Sequence, residues 1–210
     1  MSISRLTETD PDYPGVLRLY LKEDAPLSIT ALGNRKILGY PKLALFCSGR
    51  CPQNLIMQTH ALLQNLTESN STVIGGFHSP VEREGLSTLL RGEGPIVVCP
   101  ARSLVKMRVP KEWRAALEEG RLLVLSFFPD HRHRSDIQMA LRRNRFVAAL
   151  ADRIFMPYAA PGSKTEELCK EIVSWGKTLY TVADNANNNL LTLGAAPVTA
   201  DQDFWPHPVR

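Results

Sequence analysis

The chain contains no apolar run approaching the roughly 20 residues that a membrane-crossing helix needs, so no helical span and no membrane partner is expected. Its opening residues, MSISRLTETD, lack the apolar stretch of a secretory signal, and the cytoplasm is the expected location. Cysteine is sparse: Cys47, Cys51, Cys99 and Cys169 are dispersed in a chain too large to need disulfide staples, and they form no paired CxxC knuckle. Reduced thiols follow, and without histidines close to Cys47 and Cys51 no metal is expected. The GxxxxGK[ST] loop of P-loop ATPases is absent, as is a GxGxxG turn after the first strand-like run of the main domain. An ATPase mechanism and a conventional NAD enzyme are therefore unsupported, and no cofactor is expected. Aromatic residues make up only 7% of the chain, which leaves few platforms for base stacking.

What is present suits a globular protein, with 44% hydrophobic and 22% charged residues over 210 positions, enough for one large domain with a substantial core. The formal charge of +4 is mild, so its distribution carries the information. Between His131 and Arg145 stand Arg132, Arg134, Arg142, Arg143 and Arg145 against one acid, Asp136, so this segment alone carries +4. Such a run is either a solvated basic face or a contact for nucleic acid.

Six short apolar runs begin at Lys42, Thr72, Pro95, Arg121, Arg153 and Thr178, and they are nearly continuous instead of alternating, as strands covered on both faces of a parallel sheet are. Helical patterns separate them: Pro52 to about Leu66, Pro80 to Leu90, Pro110 to Glu119, Ser135 to Leu150 and Ser163 to Trp175, several opened by Pro or Ser. The fold class expected is α/β, a Rossmann-like doubly wound, mainly parallel sheet of about six strands with helices on both faces, in an order such as 3-2-1-4-5-6. Residues 1–40, punctuated by Pro11, Pro14 and Pro26, are expected as an N-terminal appendage on a ligand-binding domain of residues 41–196, followed by a tail of residues 197–210 whose Phe204 and Trp205 dock on this subunit or a partner.

In such a sheet the ligand lies beyond the carboxyl ends of the strands. After the first run come Ser48, Gly49 and Arg50, entering a helix whose free N–H groups favour an anion. The second run ends in Gly75 and Gly76, followed by His78 and Ser79, again a backbone-lined anion site; Glu82 and Glu84 suit the helix N-terminus better than acid–base work. After the fifth run Gly162, Ser163, Lys164 and Thr165 offer N–H groups, hydroxyls and one ammonium. In the helix from Ser135, Asn144 shares the helical face of Ile137, Ala140, Leu141, Val147 and Ala148, so its amide bonds either to buried backbone or to a ligand, with Arg143 and Arg145 about 100° to either side.

Together these stretches resemble the DprA/Smf family of DNA-processing proteins, from about Asp12 to Ala195, over the Rossmann domain only. DPDYPGVLRLYLKEDAPLSITALGN is similar to that family's opening segment, Ser48–Arg50 to its glycine-serine-arginine turn, Gly75 and Gly76 to its serine-glycine-glycine, and RRNRFVAALAD to its arginine-asparagine-arginine helix. Gly162, Ser163 and Thr165 resemble its serine-glycine-serine…threonine loop, and NLLTLGA its closing segment. Phe77 to Pro80 replace the family's alanine-x-glycine-isoleucine-aspartate continuation. The resemblance implies a cytoplasmic, homodimeric protein without catalysis that binds single-stranded DNA in processing, uptake or recombination, with a recombinase as partner. Two alternatives stay open: a sensor of a small nucleotide, and, from the resemblance of PGSKTEEL to the loop of LOG-type phosphoribohydrolases, a nucleoside-monophosphate hydrolase using Glu166 or Glu167.

Overall fold

Burial on both faces is what makes the apolar runs into strands. The computed structural model describes residues 2–68 and 71–199, and its sheet has nine strands: β1 (Ser4–Thr7), β2 (Ser28–Gly33), β3 (Lys42–Leu45), β4 (Thr72–Gly75), β5 (Ile96–Val98), β6 (Leu122–Ser126), β7 (Arg153–Phe155), β8 (Thr178–Val182) and β9 (Ala196–Val198). The six anticipated strands are β3 to β8, and every residue of β3 to β6 is buried. Seven helices accompany them among the described residues: α1 (Val16–Leu21), α2 (Gln53–Glu68), α3 (Pro80–Arg91), α4 (Arg114–Glu118), α5 (Ile137–Leu150), α6 (Lys164–Ser174) and α7 (Asn188–Thr192). None is long and apolar enough to cross a membrane.

One apolar layer joins the sheet to α1, α5 and α6 through Leu17, Leu21, Phe146, Val147, Leu168 and Ile172. The other joins it to α2, α3 and α4 through Leu55, Leu62, Leu63, Leu86, Leu89 and Leu117. The expected helices on both faces are therefore present.

The strand order is β1-β2-β6-β5-β4-β3-β7-β8-β9, which corrects the order anticipated from the sequence. From β3 the chain steps outward through β4, β5 and β6, all parallel, and only then returns to β7 on the other side of β3. β6 and β7 are four strand spacings apart, about 19 Å. The ten residues 127–136 between β6 and α5 supply that lateral reach, where an ordinary connection of two to six residues does not. The residues expected as an N-terminal appendage contribute β1 and β2 to the same sheet, β2 pairing antiparallel with both β1 and β6. Phe204 and Trp205 lie outside the described residues.

The carboxyl end of α5 is closed by a side chain from a distant turn. Lys177 is buried, and its Nζ donates to the carbonyl oxygens of Ala148 and Ala149, at 2.7 and 2.8 Å, and to that of Ala151. The ring of Tyr20 lies 4.0 Å from the same nitrogen, so an N-terminal helix also leans on this ammonium. These carbonyls are among those a helix leaves unsatisfied at its end. Lys177→Met, which keeps the bulk and removes the donors, is expected to lower stability by about 1–3 kcal/mol in a urea melt. A midpoint unchanged from the parent protein would show that the cap contributes nothing.

Candidate functional site

Two of the three loops that the sequence offers as phosphate cradles are already bonded by a glutamate side chain of the chain itself. At the start of α3, Ser79 Oγ accepts from the Glu82 N–H at 3.3 Å. The Glu82 carboxylate is buried and reaches back to accept from the His78 N–H at 2.8 Å and from the Cys47 N–H at 2.9 Å. It thus ties the turn after β3 to the turn after β4. At the start of α6 the arrangement repeats: Ser163 Oγ accepts from the Glu166 N–H at 3.2 Å, and Glu166 accepts from the Gly162 N–H at 3.0 Å and from Asn189 Nδ2 at 2.6 Å. The bonds from Asn189 and Gly162 hold the Glu166 carboxyl below its ordinary range, as an anion. Both are variants of the capping box: the serine accepts from the N–H of the glutamate three residues on, and the glutamate accepts from the N–H of the residue before the serine instead of from the serine's own.

Ser48 is likewise engaged. Its N–H donates to the Tyr158 carbonyl and its Oγ accepts from the Ala160 N–H, each at 3.0 Å, so it stitches the turn after β3 to the one after β7. Gly49 and Arg50 are exposed. Lys164 is paired with Glu167 at 2.9 Å at the surface.

The open site lies to one side, over the carboxyl ends of β4 and β5. There a cavity of about 420 Å³ is lined by Gly76, His78, Arg102, His133, Arg134 and Arg143, together with apolar and hydroxyl groups and no Asp or Glu. His133, Arg134 and Ser135 of the crossover line it, and the Ser103 N–H, donating to the Arg132 carbonyl at 2.7 Å, pins the crossover to the turn after β5. Asp136 caps α5 by accepting from the Met139 N–H at 2.8 Å. The only acid of the basic run is therefore spent on backbone, and two arginines of the run, Arg134 and Arg143, line the cavity.

Arg143 is the deepest of these cations, 4% exposed. Its Nη1 donates to the Cys99 carbonyl at 2.9 Å and its Nε to Asn144 Oδ1 at 2.7 Å. Burial lowers its pKa, and the Glu82 carboxylate opposes that shift. The guanidinium lies against the backbone of Gly76: a Cβ there would fall 1.8 Å from Nη1 and 1.9 Å from Cζ. Gly76 is thus required by the close approach of an arginine, the one glycine in these turns with so tight a neighbour.

Of the residues anticipated for the site, Gly76, His78 and Arg143 line the cavity, while Ser48, Gly49, Arg50, Gly75, Ser79, Asn144, Gly162, Ser163, Lys164 and Thr165 do not. The helical face is rotated by one residue from the one expected. Ile137 is 76% exposed, Arg143 shares the buried face with Phe146, Val147 and Leu150, and Asn144 is half-buried, supporting Arg143. Arg145 points elsewhere, bonded to Glu171 at 2.9 Å and to Asp24 at 2.8 Å. Sequence reasoning misses Arg102, His133 and Arg134 as individual site residues, although the last two belong to the basic run.

A sequence model of the family described as DNA recombination-mediator protein A matches residues 4–207. No curated protein matches the chain. Among solved structures, DNA processing protein A from Streptococcus pneumoniae superposes with a TM-score of 0.75 at 19% identity, over 94% of this chain and 71% of that one. DNA processing protein A from Helicobacter pylori, described for a single-stranded DNA binding mode, superposes with a TM-score of 0.74 at 20% identity, over 93% of this chain and 90% of that one.

The contact between Gly76 and Arg143 makes an energetic prediction. Gly76→Ala is expected to cost on the order of 1–3 kcal/mol by forcing the guanidinium aside, and most of that cost should vanish in the Arg143→Ala background, as a double-mutant cycle of chemical melts would read. Additive losses would show that the two residues do not touch.

Proposed function

The chain belongs to the DNA recombination-mediator protein A family, and from that membership we propose that it binds single-stranded DNA by seating backbone phosphate in the cationic cavity over β4 and β5. The observation that carries this reading is the lining itself: three arginines and two histidines converge, and no Asp or Glu is among the lining residues. Arginine forks match phosphate oxygens bidentately, and a cleft of one charge sign concentrates an anionic ligand. The family's description as a recombination mediator supports a recombinase as protein partner, with the homodimer and the cytoplasmic setting that the sequence resemblance implies.

A second reading draws on the size of the cavity. At about 420 Å³ it falls within the range of small-ligand pockets, which favours a single nucleotide as an alternative occupant. The phosphoribohydrolase reading gains nothing from the geometry, since Glu166 is committed to a helix cap and Glu167 to Lys164.

A salt titration separates the two binding readings. Single-stranded DNA tracked along its phosphates releases counterions, so log K falls steeply with log salt, whereas one nucleotide gives a shallow slope. Arg134 is exposed and lines the cavity. Arg134→Ala is expected to weaken oligonucleotide binding and to make the salt slope shallower by about 0.7 for each phosphate that goes unneutralised, with the melting midpoint unchanged. Arg145→Ala, which breaks ion pairs with Glu171 and Asp24 instead, is expected to leave the slope alone. Equal effects from both variants would remove the cavity from the binding site.

A further inference from the structure

The connection from β5 to β6 begins at the cationic cavity and leads away from it. β5 and β6 are parallel neighbours, so the chain between them returns from the carboxyl ends of the strands, where Pro100, Ala101 and Arg102 line the cavity, to their amino ends. Residues 102–114 make most of that return, and they carry Arg102, Lys106, Arg108, Lys111 and Arg114 against one acid, Glu112, a net +4. The run from His131 to Arg145 carries another +4, so in a chain of +4 overall the remaining residues are left at −4. Positive charge is therefore segregated into two segments, and the bond from the Ser103 N–H to the Arg132 carbonyl joins them.

The first of these segments is anchored by its apolar residues and presents its cations to water. Leu104 is buried in the layer that joins the sheet to α2, α3 and α4, and Met107, Val109 and Trp113 pack against that layer. The cations alternate with these anchors along the chain, and all five are exposed. The start of the segment is pinned as well: Ser126 Oγ donates to the Arg102 carbonyl at 2.7 Å, and Ser103 Oγ accepts from the Val105 N–H at 3.0 Å. Among the described residues no carboxylate forms an ion pair with any of the five, although Glu112 and Glu118 stand close by in sequence. Like charges strung along one backbone repel one another, and an anionic polymer relieves that repulsion at several points where a single phosphate relieves it at one.

We infer that residues 106–114 are a phosphate track: a single strand seated in the cavity continues past Arg102 along this segment, down the flank of the sheet. The inference rests on the single-strand reading above and deepens it, since a mononucleotide that fills the cavity has no further phosphate to offer the track. Contacts of this kind fix a strand in place without reading its sequence, so the track lengthens the footprint and adds no base preference.

The test measures, by fluorescence anisotropy, the salt dependence of binding to labelled single-stranded DNA of 4 and of 20 nucleotides. A variant carrying Arg108→Gln, Lys111→Gln and Arg114→Gln removes three exposed charges, and its urea midpoint is expected to match the parent's. On the longer strand its slope of log K against log salt is expected to be shallower by about 2, at about 0.7 for each of three phosphates. On the shorter strand, which the cavity accommodates by itself, the slope should equal the parent's. Should the triple variant lose stability, Arg108→Gln alone decides, with a flattening of about 0.7 on the longer strand. A charge-keeping variant with Arg108→Lys, Lys111→Arg and Arg114→Lys is expected to hold the parent slope on both strands, and a flattened slope there overturns the track. An unchanged slope for the charge-removing variant on the longer strand also overturns it, and Arg134→Ala on the same strand then shows whether the cavity reading survives. Equal flattening on both strands places these cations at the cavity and overturns the track likewise. Binding of neither strand by the parent overturns both readings.

Discussion

The path from β6 to β7 governs the rest of the molecule. Once the chain has stepped outward from β3 to β6, the next position in the parallel sheet lies on the far side of β3, and the backbone must cross back over the strand ends it has just built. Ten residues make that crossing, and they carry His131, Arg132, His133 and Arg134. Two of these side chains, His133 and Arg134, line the cavity over the carboxyl ends of β4 and β5 while staying exposed to solvent. The crossing also fixes where α5 begins, and so which turn of that helix meets Gly76. Charge, cavity and buried arginine are three results of one topological requirement.

The strands and most helix starts are legible in the sequence for simple reasons. A strand covered on both faces must be apolar at nearly every position, as β3 to β6 are, and Pro80, Ser79 and Ser163 are residues that favour helix starts. Strand order is less legible, because the handedness of a crossover does not say on which edge the next strand lands. The signal for the long jump is the length of the stretch from Phe127 to Asp136. β1 and β2 are hidden among prolines and short polar stretches, and their pairing depends on the edge of β6, a partner far along the chain.

The geometry of the candidate site is legible in part, and where the structure arranges the anticipated residues differently the causes are physical. A glycine, a serine and a helix start describe an anion cradle, but glutamate three residues after the serine lets the chain bond the same turn with its own carboxylate. Glu82 and Glu166 are the letters that distinguish the two. Setting the face of α5 by Ile137 misplaces it, since a first-turn residue can protrude past the sheet edge, as Ile137 does. Setting the helix by Phe146, Val147 and Leu150, two turns and more further in, puts Arg143 on the buried face and Asn144 beside it.

The lodging of Arg143 against Gly76 divides the labour among the cavity's cations. An arginine side chain carries about 2 kcal/mol of rotamer entropy, and Arg143 has surrendered its share during folding, held by Cys99 and Asn144 before any ligand arrives. Arg102 and Arg134, both exposed, keep theirs and must give it up at the moment of contact. In the binding mode proposed above, one charge is a fixed datum for a phosphate, and the others are arms that adapt to it. A site built this way can hold register along a polymer without demanding a single shape from it.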